Sequence, residues 1–148
     1  MTEVAFEKYN FRTEERDGSK VIFDEVRKKW VSLSPEEWVR QHILHYLVHT
    51  KNYPRSLIAV ERGIELNGLQ KRFDIVIFTN NGHPKMIVEC KGPEVKLNEK
   101  VFEQIARYNL SLRVDYLWVS NGSLNYCCKL KEGIELLTEV PSVEKMIG

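Results

Sequence analysis

Apolar and polar positions alternate with two different periods along this chain, and the changes of period mark its elements. Near the N-terminus, Phe11, Thr13, Val21 and Phe23 flank Arg16-Asp17-Gly18-Ser19. An Asp-Gly pair between alternating segments predicts a β-hairpin over 4–24. Residues 25–33 read equally as a short helix or an extended connection. Ser34, Pro35 and Glu37 then fall on the N-cap, first and third positions of a helix, a capping box. Trp38, Ile43, Leu44, Leu47 and Val48 continue it as an apolar stripe. The helix should stop before Asn52-Tyr53-Pro54, because the proline ring disfavours helix at Tyr53.

Beyond Pro54 the period shortens. Residues 57–66 read as a strand bulged at Gly63. Segments 73–79 and 85–91 are rich in β-formers and joined through Asn80-Asn81-Gly82-His83, a hairpin. Helical spacing returns over 97–112, with Val101, Ile105, Tyr108 and Leu112 on one face. Two strands follow at 114–120 and 123–130, then a short strand at 133–138 and a terminal helical turn at 141–147. This order predicts a single α/β domain. It comprises an N-terminal arm (1–33) and a core (34–138), the core being a mixed four- or five-stranded sheet between helices.

Composition narrows the classes. The chain has 148 residues, 43% of them hydrophobic and 29% charged, which excludes a disordered tail or fibrous protein. The net charge of +1 is spread evenly, which argues against a protein that holds nucleic acid by bulk electrostatics. Clusters such as Arg27-Lys28-Lys29 read as solvated surface. No apolar run reaches membrane-spanning length, and MTEVAFEKYN lacks the pattern of a signal peptide. Cys90, Cys127 and Cys128 make no disulfide framework or zinc motif, so they read as reduced thiols of a cytoplasmic protein.

Candidate chemistry lies in the 73–91 hairpin. Strand 73–79 is apolar apart from Asp74, and 85–91 is apolar in its middle, then reads Glu89-Cys90-Lys91. A carboxylate in a buried strand is costly unless paired or metal-bound. With a turn at Asn81-Gly82, or a loop of 80–83, Asp74 lies opposite Glu89, with Cβ atoms roughly 5 Å apart. A three-residue loop of 81–83 would set Asp74 opposite Cys90 instead. Two facing carboxylates suit Mg²⁺ or Mn²⁺, which polarises a phosphoryl oxygen, and Lys91 would orient water or stabilise developing charge. The competing reading is a salt bridge of Lys91 with Glu89 or Asp74.

Asp74 followed by Glu89-Cys90-Lys91 resembles the D…(D/E)xK signature of the PD-(D/E)xK restriction-endonuclease-like superfamily. Gln104 and Tyr108, one turn apart, are similar to the QxxxY helix of the branch that holds exonuclease–helicase nuclease domains and type I restriction motor subunits. Gln104 is read there as a polar residue on an apolar face, bonded toward the active site or satisfied by backbone. The stretches SPEEWVRQ (34–41), KRFD (71–74), Tyr108-Asn109 and Ser120-Asn121-Gly122 look like the N-terminal domain of type I restriction motor (R) subunits, in stand-alone form. The resemblance spans about residues 20–130.

It implies a metal-dependent nuclease acting on DNA phosphodiesters. Asp74, Glu89 and the Cys90 carbonyl would hold Mg²⁺ or Mn²⁺, Lys91 would position water, and Gln104 and Tyr108 would support the site. An acidic residue of the first helix would complete the metal set: Glu37, with Glu36 in reserve and Glu61 a third candidate. Glu37 also has a purely structural reading, as the capping residue of Ser34. Arg40, Gln41 and Arg72 would approach DNA phosphates. The alternative is a catalytically inactive nuclease-fold module for DNA binding or assembly. A dimer or larger complex would supply the grip that a +1 chain lacks. No Walker loop is present, so no nucleotide cofactor is expected. His45 and His49 have the i,i+4 spacing of a zinc pair but no glutamate between them, and read as polar-face residues.

Overall fold

In the computed structural model, which describes residues 1–147 apart from the side chains of Leu66 and Ile147, two sheets organise the chain. The first is a three-stranded meander of β1 (Thr13–Arg16), β2 (Ser19–Asp24) and β3 (Lys29–Ser32). Its first turn is set by Asp17 and Gly18, both at positive φ, the geometry that matches the twist of a tight hairpin. Residues 25–33 are therefore a turn followed by the third strand.

The second sheet has six strands in sequential order: β4 (Ile58–Leu66), β5 (Leu69–Phe78), β6 (Pro84–Cys90), β7 (Tyr116–Ser120), β8 (Asn125–Lys129) and β9 (Glu135–Leu137). All neighbours are antiparallel except β6 and β7, which are parallel and joined through helix α2 (Glu99–Asn109). The mixed α/β architecture is as expected. The strand count is six, because the short Glu135–Leu137 segment pairs with β8.

Helices cover both faces. Helix α1 (Pro35–His45) starts with Ser34 accepting the Glu37 N–H and runs into a π-helical turn, Tyr46–Thr50. Val39, Ile43, Leu44 and Leu47 pack there on Ile75, Ile77, Met86, Val88 and Trp118. On the other face Phe102, Ala106 and Leu112 pack on Val76, Ile87, Leu117 and Val119. Cys127 and Cys128 go to opposite faces, as alternation along a strand requires. Trp38 departs from the predicted stripe: it is 40% exposed, with the rings of Phe11 and His42 against it.

Both chain ends join the core. The Thr2 hydroxyl donates to the Leu137 carbonyl at 2.7 Å and accepts the Cys127 N–H at 2.7 Å. Val140 and Met146 are fully buried, the latter in helix α3 (Val143–Ile147). Among the described residues, no helix is long and apolar enough to cross a membrane.

Candidate active site

The β4–β5 hairpin carries a kink that shapes the site. Its ladder runs Ile58↔Ile77 and Val60↔Ile75, then resumes at Arg62↔Phe73, skipping Glu61 and Asp74. Ile75 and Ile77 pack toward α1, yet Phe73 packs toward α2, so the alternation of faces is broken across Asp74. The strained residue is Glu61, at φ +50°, and the expected bulge at Gly63 is absent, since Gly63 pairs regularly with Arg72. Glu61, with a full side chain, holds a conformation normally left to glycine. Such strain is characteristic of functional sites.

The β5–β6 ladder has the register that makes partner numbers sum to 163: Ile75↔Val88, Val76↔Ile87 and Ile77↔Met86, with a shift only near the turn. Beyond Ile75 the kink redirects Asp74. Its Oδ2 accepts the Cys90 N–H at 2.7 Å and its Oδ1 accepts from Arg40 Nη2 at 2.9 Å. Asp74 and Glu89 thus line one cleft, together with Glu36, Glu61, Arg40 and Arg72, rather than standing as a simple cross-strand pair.

Glu89 is held loosely. Its side chain is 18% exposed, with Lys71 Nζ at 3.9 Å from one oxygen and Lys91 Nζ at 3.8 Å from the other. It accepts no hydrogen bond among the described residues. A half-buried carboxylate with unfilled lone pairs, beside Asp74, is a donor set of hard oxygens that fits Mg²⁺ or Mn²⁺.

Glu37 is placed differently. It is 6% exposed and accepts from Arg27 Nη2 at 3.0 Å, Arg40 Nη1 at 2.8 Å and Gln41 Nε2 at 3.1 Å. The same network reaches Asp24, whose Oδ2 accepts from Arg27 Nε at 2.6 Å and Gln41 Nε2 at 3.0 Å. Burial opposes charge on Asp24, but hydrogen bonds from the Arg27 backbone and guanidinium more than offset it and hold its pKa below the ordinary value. Burial likewise disfavours charge on Arg40, and Glu37 and Asp74 override it, leaving its pKa raised.

Several expected placements are corrected by this network. Gln41 is wholly buried, bonded to Glu37 and Asp24, and has no surface to offer DNA. Arg40 is buried and spent on Asp74 and Glu37. Arg27 is no solvated surface residue; it clamps Asp24, Glu37 and Glu61. Arg72 does remain exposed, near Glu61.

Helix α2 brings Tyr108 and Asn109 to the cleft edge. The Asn109 Oδ1 accepts from Lys71 Nζ at 2.9 Å, and the Tyr108 ring lies 4.3 Å from that same nitrogen. Lys71 thereby links Glu89 to the helix, and burial holds its pKa below the usual lysine value against the pull of Glu89. Sequence reasoning left Lys71 in a basic cluster; the signal was its place three residues before Asp74, across the kink. Tyr108 is 73% exposed, and Gln104 is also exposed rather than set into an apolar face. The helix buries Phe102, Ala106 and Asn109 instead.

A sheet with an antiparallel β5–β6 hairpin and a parallel β6–β7 crossover, bearing Asp74 and Glu89-Cys90-Lys91 at its kinked end, defines a restriction-endonuclease-like domain of the PD-(D/E)xK class. Residues 35–142 match the type I restriction enzyme R protein N terminus, and the chain belongs to that family. Among solved structures, a candidate nuclease of the DUF820 group from Anabaena variabilis ATCC 29413 has the same fold, at 11% identity and TM-score 0.51, covering 90% of this chain and 87% of that one. A fragment of a candidate HsdR subunit of a type I restriction enzyme from Vibrio vulnificus YJ016 matches at 20% identity and TM-score 0.42 over 60% of this chain, which spans 19% of that one. No curated protein matches significantly.

Proposed function

We propose that this protein is a Mg²⁺- or Mn²⁺-dependent nuclease that hydrolyses DNA phosphodiester bonds. The observation that carries the reading is the under-bonded Glu89 carboxylate sharing a cleft with Asp74 while Lys91 stands 3.8 Å away. Asp74 and Glu89 would hold the ion, with the carbonyl of Cys90, the residue after Glu89, as a third oxygen. When bound, the ion supplies positive charge against the phosphate. The chain's own residues do the rest. The Cys90 N–H fixes the Asp74 carboxylate, Lys71 and Lys91 flank Glu89, and Lys91 is the cation placed to orient water or to meet charge developing on the phosphate. Exposed Arg72 and Tyr108 border the cleft where a strand of DNA would lie. A second copy or a larger complex would add the grip that net charge +1 denies the single chain.

One observation favours an inactive module instead: Arg40 already neutralises Asp74 at 2.9 Å. Cleavage of labelled DNA with Mg²⁺ or Mn²⁺ decides. Asp74→Ala and Lys91→Ala should each abolish it while leaving the circular dichroism spectrum intact. Variants that cut as fast as wild type defeat the reading. A wild type that neither cuts nor binds Mn²⁺ in a Glu89-sensitive manner establishes the module.

A further inference from the structure

His45 and His49 lack a glutamate between them, but the fold brings one from another element. The turn after β2 is pinned by buried Asp24, whose Oδ1 accepts the N–H groups of Val26 and Arg27 at 2.8 Å each. That turn sets Glu25 against the end of α1. The Glu25 Oε1 lies 2.6 Å from His49 Nε2, and ligand atoms of Glu25, His45 and His49 all fall within 4.8 Å of one another. The two imidazoles are 5.2 Å apart between centroids, where the α-helix widens into the π-helical turn. Such turns recur at functional sites.

An ion pair accounts for His49 and Glu25 but leaves His45 unexplained. His45 is 6% exposed, so it is no polar-face residue. Its ring meets Phe11 at 4.5 Å and Tyr9 at 5.5 Å, and makes no hydrogen bond among the described residues. A largely buried imidazole with no hydrogen-bond partner among the described residues, turned to a second imidazole and a carboxylate, has a ring nitrogen available to a cation. Arg55 Nη2 stands 3.4 Å from Glu25 Oε2, so Oε1 is the oxygen that faces the histidines.

We propose that Glu25, His45 and His49 form a binding site for a zinc-class dication, distinct from the Asp74–Glu89 cleft. Two nitrogens and one oxygen favour Zn²⁺ and its neighbours over Mg²⁺, and three protein ligands leave a fourth position for water. Tyr9 and Phe11 shield the buried side, and the half-exposed His49 leaves an entry path. The ion would take the place of the proton shared by His49 and Glu25. It would tie the Asp24–Arg27 turn to α1, and so steady the Arg27 guanidinium that clamps Glu37 and Glu61.

Chelator-stripped protein titrated with Co²⁺ should develop the visible bands of a four-coordinate N/O site, and one equivalent of Zn²⁺ should bleach them. His49→Gln and Glu25→Gln should each weaken Zn²⁺ binding by at least about tenfold in calorimetry, since loss of mere supporting contacts already costs 10–100-fold. Zn²⁺ should raise the melting temperature of wild type and not of His49→Gln. His49 is half-exposed, so its substitution leaves the fold intact. Glu89→Gln should bind Zn²⁺ as wild type does. Absence of Co²⁺ bands, or Zn²⁺ binding that survives both substitutions or disappears with Glu89→Gln, overturns the proposal.

Discussion

Two groups of carboxylates in this molecule, joined through Arg40 and Asp74, are treated in opposite ways. On the α1 side, Asp24 and Glu37 are buried and each accepts several short hydrogen bonds, from Arg27, Arg40 and Gln41. At the β5–β6 end, Glu89 is half-buried, with two lysines at nearly 4 Å and no hydrogen bond to its carboxylate among the described residues. Asp74 stands between, sharing Arg40 with the first group and the cleft with the second. Saturated carboxylates hold structure, because removing one partner strands a buried charge. An unsaturated carboxylate keeps lone pairs for a ligand and contributes little to the fold. Residue type alone does not separate the two roles; the number and length of the bonds does.

The sharpest way to break this comparison is to neutralise one member of each group. Asp24→Asn should lower unfolding free energy by about 1.5–3 kcal/mol, because the largely buried Arg27 guanidinium loses one of its carboxylates and keeps Glu37. Glu89→Gln should change it by no more than about 1 kcal/mol. Urea unfolding of both variants measures this. Similar losses in the two would show that Glu89 is also structural.

Acid provides the next test, with a smaller effect. Asp24 has a folded pKa below its unfolded one, so its stabilisation is complete above the ordinary carboxylate value near 4 and is lost as pH falls through the folded value. Unfolding free energy of the wild type should therefore drop as pH falls below about 4, with a steeper slope than that of Asp24→Asn. Equal slopes would mean that other carboxylates carry the acid sensitivity.

Much of this arrangement was legible in the residues. Periodicity located both helices and the central hairpin, and the capping of Ser34 is where the sequence put it. The register summing to 163 holds over Ile75–Ile77, although the turn itself pairs Phe78 with Pro84 and an irregularity beside it restores the sum. What stayed hidden depends on long-range placement. Nothing local marks Arg27 in a run of three basic residues as the one turned inward by the Asp24 turn. Glu61 looks like any strand glutamate, and its positive φ arises from the kink opposite Asp74. Gln41 and Gln104 were misplaced for one reason: a glutamine's burial depends on which partners the tertiary fold delivers. Gln41 found Asp24 and Glu37, and Gln104 found solvent.

The smallest expected effect concerns the edge of the cleft. Tyr108 is 73% exposed and its ring sits 4.3 Å from Lys71 Nζ. At an exposed site such a cation–π contact is worth about 0.5–1 kcal/mol, so Tyr108→Ala should cost no more than that in stability. Its consequence for activity should be larger if the ring holds Lys71 beside Glu89. Lys71 would then swing free, and the apparent affinity for Mn²⁺ should change while the urea midpoint stays nearly constant. Tyr108→Phe keeps the ring face and should behave as wild type. A Phe variant as impaired as the Ala variant would assign the role to the phenolic hydroxyl, and move Tyr108 from a neighbour of Lys71 to a direct contact with substrate.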